Sequence, residues 1–304
     1  MRAGASNGLP RIRRLVGLIG EGIGGSLTPA LHEAEAGALG LDYEYRILDL
    51  LSLGRTAEEL DTLIAGAVAE GYDAVNITYP CKQIAFELVD EVDDDARRLG
   101  AVNLVLLRDG RTTGYNTDWV GYRDGFIAGL PGASVAHVVQ IGCGGAGAAT
   151  AYALLTCGAA VLDLVDAEER RAAGLAETLH ALFPAARVRS ARSEQLDGIL
   201  PHADGVVHAT PLGMAHHPGV AFDVGLLREG TWVSDVVYRP LATELIRNAA
   251  QRGLPVLDGG RMAVGQALAS MEIITGIRPD RQRMQRHFRA LIRDESGASG
   301  AAHG

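Results

Sequence analysis

One glycine-rich turn constrains this chain more than any other feature. Gly142-Cys143-Gly144-Gly145-Ala146-Gly147 follows an apolar run, Val135 to Ile141, and opens a helical pattern that reaches Thr156. Strand, G-x-G-x-x-G turn and helix in that order form the opening unit of a doubly wound α/β fold, in which a dinucleotide rests its pyrophosphate on the helix N-terminus. Glycines allow the tight turn and the close backbone approach, and the positive end of the helix favours the phosphates. Gly142, Gly144, Gly145, Ala146 and Gly147 are therefore the expected cofactor turn. A bland turn in an Ala/Gly-rich chain would carry the same letters; the flanking strand and helix separate the two readings.

The next apolar run, Ala160 to Val165, ends at Asp166, which lies 19 residues beyond Gly147. That is close to the ~20 at which an acid accepts hydrogen bonds from the adenosine ribose. A carboxylate there repels a 2′-phosphate, so the pattern favours NAD over NADP, while the nearby Arg170 and Arg171 work in the opposite direction. Asp166 ahead of Glu168 and Glu169 also has a local reading as a helix cap.

At 304 residues the chain exceeds the usual span of one core, and about two domains are expected. The first hundred residues alternate strand and helix patterns: Leu15 to Gly20, a helix from Pro29 to Leu39, Tyr43 to Leu48, a helix from Ala57 to Ala69, then Ala74 to Thr78. Strand patterns recur downstream at Gly205 to Ala209 and Trp232 to Val236. Asp124 to Ser134, with Gly125, Gly129, Pro131 and Gly132, reads as a linker or exposed turn. After Asp258-Gly259-Gly260 the pattern is helical, Met262 to Thr275 and Arg281 to Arg293, and these helices are expected to return to the first domain. The expected class is α/β with two domains. One is a discontinuous substrate-binding and catalytic domain, 14–117 plus 259–294; the other is a Rossmann-type doubly wound NAD-binding domain, 118–258, with flexible tails at 1–13 and 295–304.

Composition excludes several partners. A net charge of −9 without a basic stripe argues against nucleic acid. No apolar run approaches the ~18 residues of a membrane span, and the N-terminus has no apolar h-region, so the cytoplasm is expected. Cys81, Cys143 and Cys157 are odd in number and widely spaced, which suggests neither a disulfide framework nor a metal site. A homodimer is an allowed assembly.

The chain has 27 arginines and one lysine, Lys82, in the loop Asn76-Ile77-Thr78-Tyr79-Pro80-Cys81-Lys82 just past a buried-looking strand. A guanidinium does not release a proton at working pH, whereas an ammonium in a partly desolvated site can act as acid or base. Lys82 is therefore the candidate for proton transfer, against the alternative of a surface lysine surviving by chance. Asn116-Thr117-Asp118 falls at the inferred domain crossover, where a cleft and its substrate usually sit. Asp118 beside Lys82 makes a plausible dyad; alone it would more often be an N-cap.

Gly25-Ser26-Leu27-Thr28-Pro29, the Asn76 to Lys82 segment, Gly100-Ala101-Val102-Asn103 and Asn116-Thr117-Asp118 together resemble the shikimate dehydrogenase family. So, in the family's order, do Ala209-Thr210-Pro211-Leu212-Gly213-Met214, Val237-Tyr238-Arg239-Pro240 and Asp258-Gly259-Gly260-Arg261-Met262 through Gln266. The resemblance spans about Leu15 to Arg293. It implies hydride transfer between a nicotinamide cofactor and the 3-hydroxyl of a polyhydroxylated carboxylic acid, shikimate or quinate. Lys82 and Asp118 carry over as the catalytic pair, Ser26 and Thr28 as ligands of the substrate carboxylate, and Thr78, Asn103 and Gln266 as ligands of ring hydroxyls. Tyr238 matches a tyrosine near substrate and nicotinamide, and Arg171, Thr210, Met214, Val237 and Gly260 join the cofactor-binding set.

Two departures separate this chain from the biosynthetic pattern. Ser26-Leu27-Thr28 stands where that pattern has Ser-x-Ser, and Asp166-Ala167-Glu168 where it has an NADP-recognising Asn-Arg-Thr. Both are similar to the NAD-using quinate/shikimate dehydrogenases, which implies quinate with shikimate as a second substrate. Three alternatives stay open: an aminoshikimate or aminoquinate dehydrogenase, an NADP-dependent biosynthetic shikimate dehydrogenase, and a non-catalytic NAD-binding regulator. Thr28 before Pro29 also has a reading as a helix N-cap, and Gln266 on an apolar helix one as a packing residue.

Overall fold

The computed structural model describes residues 13–301, with side chains described as far as Arg293. The first half runs β1 (Arg14–Gly20), α1 (Thr28–Ala38), β2 (Tyr43–Asp49), α2 (Leu50–Leu53), α3 (Leu60–Ala69), β3 (Ala74–Ile77), α4 (Lys82–Leu88), β4 (Glu91–Val92), α5 (Asp94–Leu99), β5 (Leu104–Arg108), β6 (Arg111–Tyr115) and α6 (Asp118–Gly129). The second continues with β7 (His137–Ile141), α7 (Gly145–Thr156), β8 (Val161–Val165), α8 (Glu169–Leu182), β9 (Arg187–Ala191), α9 (Leu196–Ile199), β10 (Gly205–His208), β11 (Trp232–Asp235), α10 (Glu244–Gln251), β12 (Val256–Leu257), α11 (Gly260–Thr275) and α12 (Arg281–Ala301).

Two six-stranded sheets result. The second, in the order β12-β11-β10-β7-β8-β9, is parallel throughout, the doubly wound order whose strand direction of travel reverses between β7 and β10. Its central strands β11, β10, β7 and β8 are buried on both faces and largely apolar, Val138, Val139, Leu162, Leu164, Val206 and Val207 being fully enclosed, while the edge strand β9 is polar and partly exposed.

The first sheet, β2-β1-β3-β5-β6-β4, departs from pure strand–helix alternation: β5 runs antiparallel to both β3 and β6. The cause is local. Asp109 and Gly110 form a two-residue loop, both with positive φ (52° and 73°), which is the backbone that closes a tight hairpin.

Of the linker or turn expected over Asp124–Ser134, residues 124–129 are helical, because α6 continues to Gly129, and the turn is confined to Pro131-Gly132. Gly125 and Gly129 serve close approach rather than a turn. A Cβ on Gly129 would lie 2.4 Å from Leu257 and one on Gly125 3.1 Å from Arg261 Cβ, so these glycines let α6 pack on the start of α11. α11 packs on α6, α1 and α12, which returns the C-terminal helices to the first half of the chain. Of the tails expected to be flexible, 1–12 and 302–304 lie outside the described residues. Residues 295–301 fall within α12, where each added residue extends an existing hydrogen-bond ladder without a new nucleus.

Candidate active site

Lys82 and Asp118 are each the first residue of a helix, α4 and α6. Lys82 Nζ donates to Asp118 Oδ2 at 2.5 Å, with the two side chains 24% and 11% exposed, so the pair is enclosed yet reachable. Asp118 does not cap its helix: Thr117 holds that position, without a side-chain cap bond. Its second oxygen, Oδ1, instead receives Asn103 Nδ2 at 2.9 Å.

Behind the pair runs a buried polar chain. Asn103 Oδ1 accepts the Thr117 N–H at 2.7 Å, and its amide also donates to Thr117 Oγ1 at 3.0 Å. The Thr117 and Ser270 hydroxyls are 3.1 Å apart, Asn76 Nδ2 donates to Ser270 Oγ at 3.2 Å, and Tyr45 donates its hydroxyl to Asn76 Oδ1 at 2.9 Å. Every member is less than one-tenth exposed, so each bond is made in a low-dielectric interior where it orients its partner strongly. Asn103, expected as a ligand of the ring hydroxyls, thus spends its amide on Asp118 and Thr117. Asn76 and Thr117 lie in the motifs that carry the family resemblance, with no role expected of them there; nothing near Ser270 in the sequence marks it.

Of the substrate-binding residues expected from sequence, Ser26, Thr28 and Thr78 follow the C-terminal ends of β1 and β3, whereas Asn103 precedes β5, Tyr238 follows β11 and Gln266 lies on α11. Gly20 ends β1, and a Cβ there would lie 2.3 Å from Thr78 Cγ2; the missing side chain is what seats Thr78. Ser26 Oγ donates to Thr28 Oγ1 at 3.1 Å. Thr28 does not serve as the expected cap: Leu27 is the N-cap of α1 and no side chain caps it, which leaves the Thr28 hydroxyl with Ser26. Arg239 donates from Nη1 to the Gly25 carbonyl at 2.5 Å, bringing the 237–240 segment and half-exposed Tyr238 against this loop. Gln266 is half-buried on α11, its backbone nitrogen pressed against Gly121 of α6.

The dinucleotide turn has the shape its sequence requires. Gly142 follows β7 with φ 104°, and a Cβ would meet Ala209 O at 2.5 Å; at Gly147 a Cβ would meet Gly142 O at 2.2 Å. Gly144 and Gly145, at the N-terminus of α7, face open space, the cradle a pyrophosphate fills. Asp166 closes the turn from the side: Oδ2 accepts the Cys143 N–H at 2.7 Å and Oδ1 the Glu168 N–H at 2.9 Å. Its local bond to Glu168 and its bond to the turn therefore coexist. Arg171 donates to Glu168 at 2.6 Å and reaches Asp166 Oδ1 at 3.5 Å. Thr210 Cγ2 lies against Gly142, Gly259 lies beside Val236 and Val237, Gly260 lies instead against Leu241 and Phe288, and Met214 sits on an exposed turn. The residues present fit a nicotinamide dinucleotide.

Burial, reinforced by the Asp166 charge, pushes the Cys143 thiol up to about 12, away from the thiolate form that a nucleophile uses. Among the described residues no group of three or more His, Cys, Asp or Glu could hold a metal ion, and no helix is long and apolar enough to cross a membrane.

Residues 18–105 match the family model described as the shikimate dehydrogenase substrate binding domain. The chain is 50% identical over 285 residues to the shikimate dehydrogenase (NADP(+)) of Pseudarthrobacter chlorophenolicus, covering 94% of this chain and 97% of the relative. The chain belongs to the shikimate dehydrogenase family. It is also 44% identical to the quinate/shikimate dehydrogenase (NAD(+)) of Corynebacterium glutamicum strain R, over 91% of this chain and 98% of that relative. The solved quinate dehydrogenase from Corynebacterium glutamicum in complex with NAD superimposes with a TM-score of 0.87 at 43% identity, covering 91% and 99% of the two chains. Membership carries the two-domain fold with its Rossmann-like half and makes this an oxidoreductase with a nicotinamide cofactor.

Proposed function

We propose that the chain catalyses reversible NAD-dependent oxidation of the 3-hydroxyl of quinate, and of shikimate as a second substrate, to the 3-dehydro ketone. The observation that carries this is the Lys82–Asp118 pair, held at 2.5 Å by a buried network and still open on the lysine side. In the oxidative direction the amine of Lys82 takes the hydroxyl proton of the substrate and becomes the ammonium, and in the reductive direction the ammonium returns that proton to the carbonyl oxygen. Asp118 orients Nζ and balances the charge of the ammonium, and Asn103 fixes the carboxylate. A positioned proton-transfer group of this kind is worth roughly 10²–10⁴-fold. The bound dinucleotide supplies the hydride acceptor. Ser26 and Thr28 hold the substrate carboxylate through hydroxyls, and Thr78, Gln266 and Tyr238 line the ring.

NAD over NADP rests on Asp166, whose buried carboxylate would face a 2′-phosphate. The Corynebacterium relatives named for NAD(+) support it. A second reading, an NADP-dependent shikimate dehydrogenase, has its own support in the Pseudarthrobacter relative. It also has a surface cleft of about 410 Å³ lined by Arg170, Ser190 and Arg192 beside Glu169, beyond the end of β8, where a phosphate would find two cations and one carboxylate.

Initial rates with quinate and shikimate, each with NAD and with NADP, separate the two. Turnover of quinate with NAD is the expected result. Turnover of shikimate only, and only with NADP, would establish the second reading, and no turnover of either acid would turn attention to amino analogues.

A further inference from the structure

A second buried polar cluster lies beneath the dinucleotide turn. His208 ends β10 and Asp235 ends β11, and each is 1% exposed. His208 Nδ1 is 3.0 Å from Asp235 Oδ1 and its Nε2 is 2.5 Å from Thr210 Oγ1. Asp235 also receives the Val237 N–H on Oδ1 at 3.0 Å and the Thr243 hydroxyl on Oδ2 at 2.6 Å. A buried carboxylate already serving two donors makes Nδ1 the ring nitrogen that carries hydrogen toward it.

Thr210 is thereby held from two sides, by His208 and by the Leu212 N–H, which Oγ1 accepts at 3.2 Å. Its hydroxyl is spent inside the protein and its methyl faces the turn: a Cβ on Gly142 would lie 2.9 Å from Thr210 Cγ2 and 2.5 Å from Ala209 O. β7 and β10 are the neighbouring strands at which the order reverses, the crevice where ligands of such sheets bind.

We propose that His208 and Asp235 are positioning residues for the dinucleotide. The line Asp235–His208–Thr210 sets the rotamer of Thr210 and the height of the 209–210 backbone against the Gly142 turn. Through the Val237 N–H the same carboxylate fixes the 237–240 segment. One buried hydrogen-bonded pair thus holds two segments beside the cofactor crevice. The inference rests on the dinucleotide reading of the turn and assigns it a support that acts without touching the cofactor.

Two substitutions divide the relay. In His208→Asn the amide keeps the place of Nδ1 and its bond to Asp235 but drops Thr210; in His208→Gln the amide reaches Thr210 and drops Asp235. Dissociation constants of NADH and NADPH are measured by fluorescence titration, beside melting temperatures and kinetic constants. His208→Asn is expected to raise the dissociation constant of the preferred dinucleotide about tenfold, with a melting temperature close to wild type. His208→Gln is expected to melt earlier, yet to bind dinucleotide within about threefold of wild type. The KM of the acid substrate stays unchanged in both. Dissociation constants that follow the melting temperatures in the same order would reduce the pair to fold stability and overturn the proposal, as would wild-type affinity in both variants. Wild-type protein that binds neither dinucleotide would overturn the dinucleotide reading itself, and this inference with it.

Discussion

Gly121 of α6 and Gly265 of α11 lie backbone to backbone: a Cβ on Gly121 would sit 2.4 Å from the Gln266 nitrogen, and one on Gly265 2.5 Å from the Gly121 carbonyl oxygen. Asp118 stands three residues before this contact and Gln266 one residue after it, so the crossing of two glycines sets how far the Asp118 carboxylate is from α11. Alanine in a helix interior gains up to about 1 kcal/mol over glycine. Here the obstructing atoms are backbone and cannot rotate aside, so overpacking of about 1–3 kcal/mol outweighs that gain.

Gly121→Ala is therefore expected to destabilise the protein and to lower kcat/KM by roughly ten- to a hundredfold through displacement of Asp118. Gly174→Ala on α8, where a Cβ would meet nothing within 4 Å, is the control and is expected to stabilise slightly. Chemical denaturation and steady-state rates on both variants check this; a Gly121→Ala protein as stable and active as Gly174→Ala would contradict it.

Asp166 carries two backbone N–H groups on a buried carboxylate. In Asp166→Asn one of those groups faces an amide N–H, and the negative charge that opposes a 2′-phosphate is gone. A bond to a charged group contributes about 1.5–3 kcal/mol, so KM for NAD should rise about tenfold or more. KM for NADP should rise less or fall. The quantity to measure is the ratio of kcat/KM for the two dinucleotides; an unchanged ratio would remove Asp166 from cofactor selection.

Much of this arrangement was legible before any coordinates. The turn at Gly142–Gly147 declares itself because its strand, glycines and helix are contiguous, and Lys82 because it is alone among arginines. Gly125 and Gly129 read as turn residues because the sequence shows that a side chain is missing, not what occupies the space; in the structure that is Arg261 and Leu257. The hairpin turn Asp109-Gly110 has its Asp-Gly signal after the apolar run Leu104 to Leu107, but the polar Arg111-Thr112-Thr113 that follows does not read as a strand. Tyr45, Asn76, Thr117 and Ser270 could not be assembled from sequence, since they come from β2, β3, the start of α6 and α11, and only the packed fold joins them.

Thr28 keeps its hydroxyl for Ser26 rather than for the helix, so its methyl is the feature that distinguishes this loop from one with two serines. Thr28→Ser keeps the oxygen and removes the methyl. One methyl group in a pocket is worth about 1–3 kcal/mol of discrimination, so the quinate-to-shikimate ratio of kcat/KM should change roughly tenfold, toward shikimate. Competition assays with both acids read this directly. A ratio unaffected by the substitution would place acid preference elsewhere.

His32 of α1 is fully enclosed, with Nδ1 3.1 Å from the Tyr43 hydroxyl and Nε2 without a hydrogen-bond partner. Burial pushes its imidazole down to about 3 from an unfolded value of 6.5. The unfolded chain therefore binds a proton between those values that the folded chain refuses. Stability is unaffected above pH 6.5 and falls by about 1.4 kcal/mol per unit as the pH drops toward 3. Wild type should lose about 2 kcal/mol more than His32→Leu between pH 7 and pH 5. Denaturant titrations at the two pH values give the difference; parallel losses would show that His32 does not set the acid limb.

The most direct measurement of the catalytic assignment is Lys82→Ala, assayed for the initial rate of acid oxidation beside its dinucleotide dissociation constant and melting temperature. Loss of kcat by about 10²–10⁴-fold, with dinucleotide binding and melting retained, is the expected result. A variant that binds dinucleotide normally and keeps a large part of the wild-type kcat would show that the proton moves through another group, and that the 2.5 Å contact between Lys82 and Asp118 is structural.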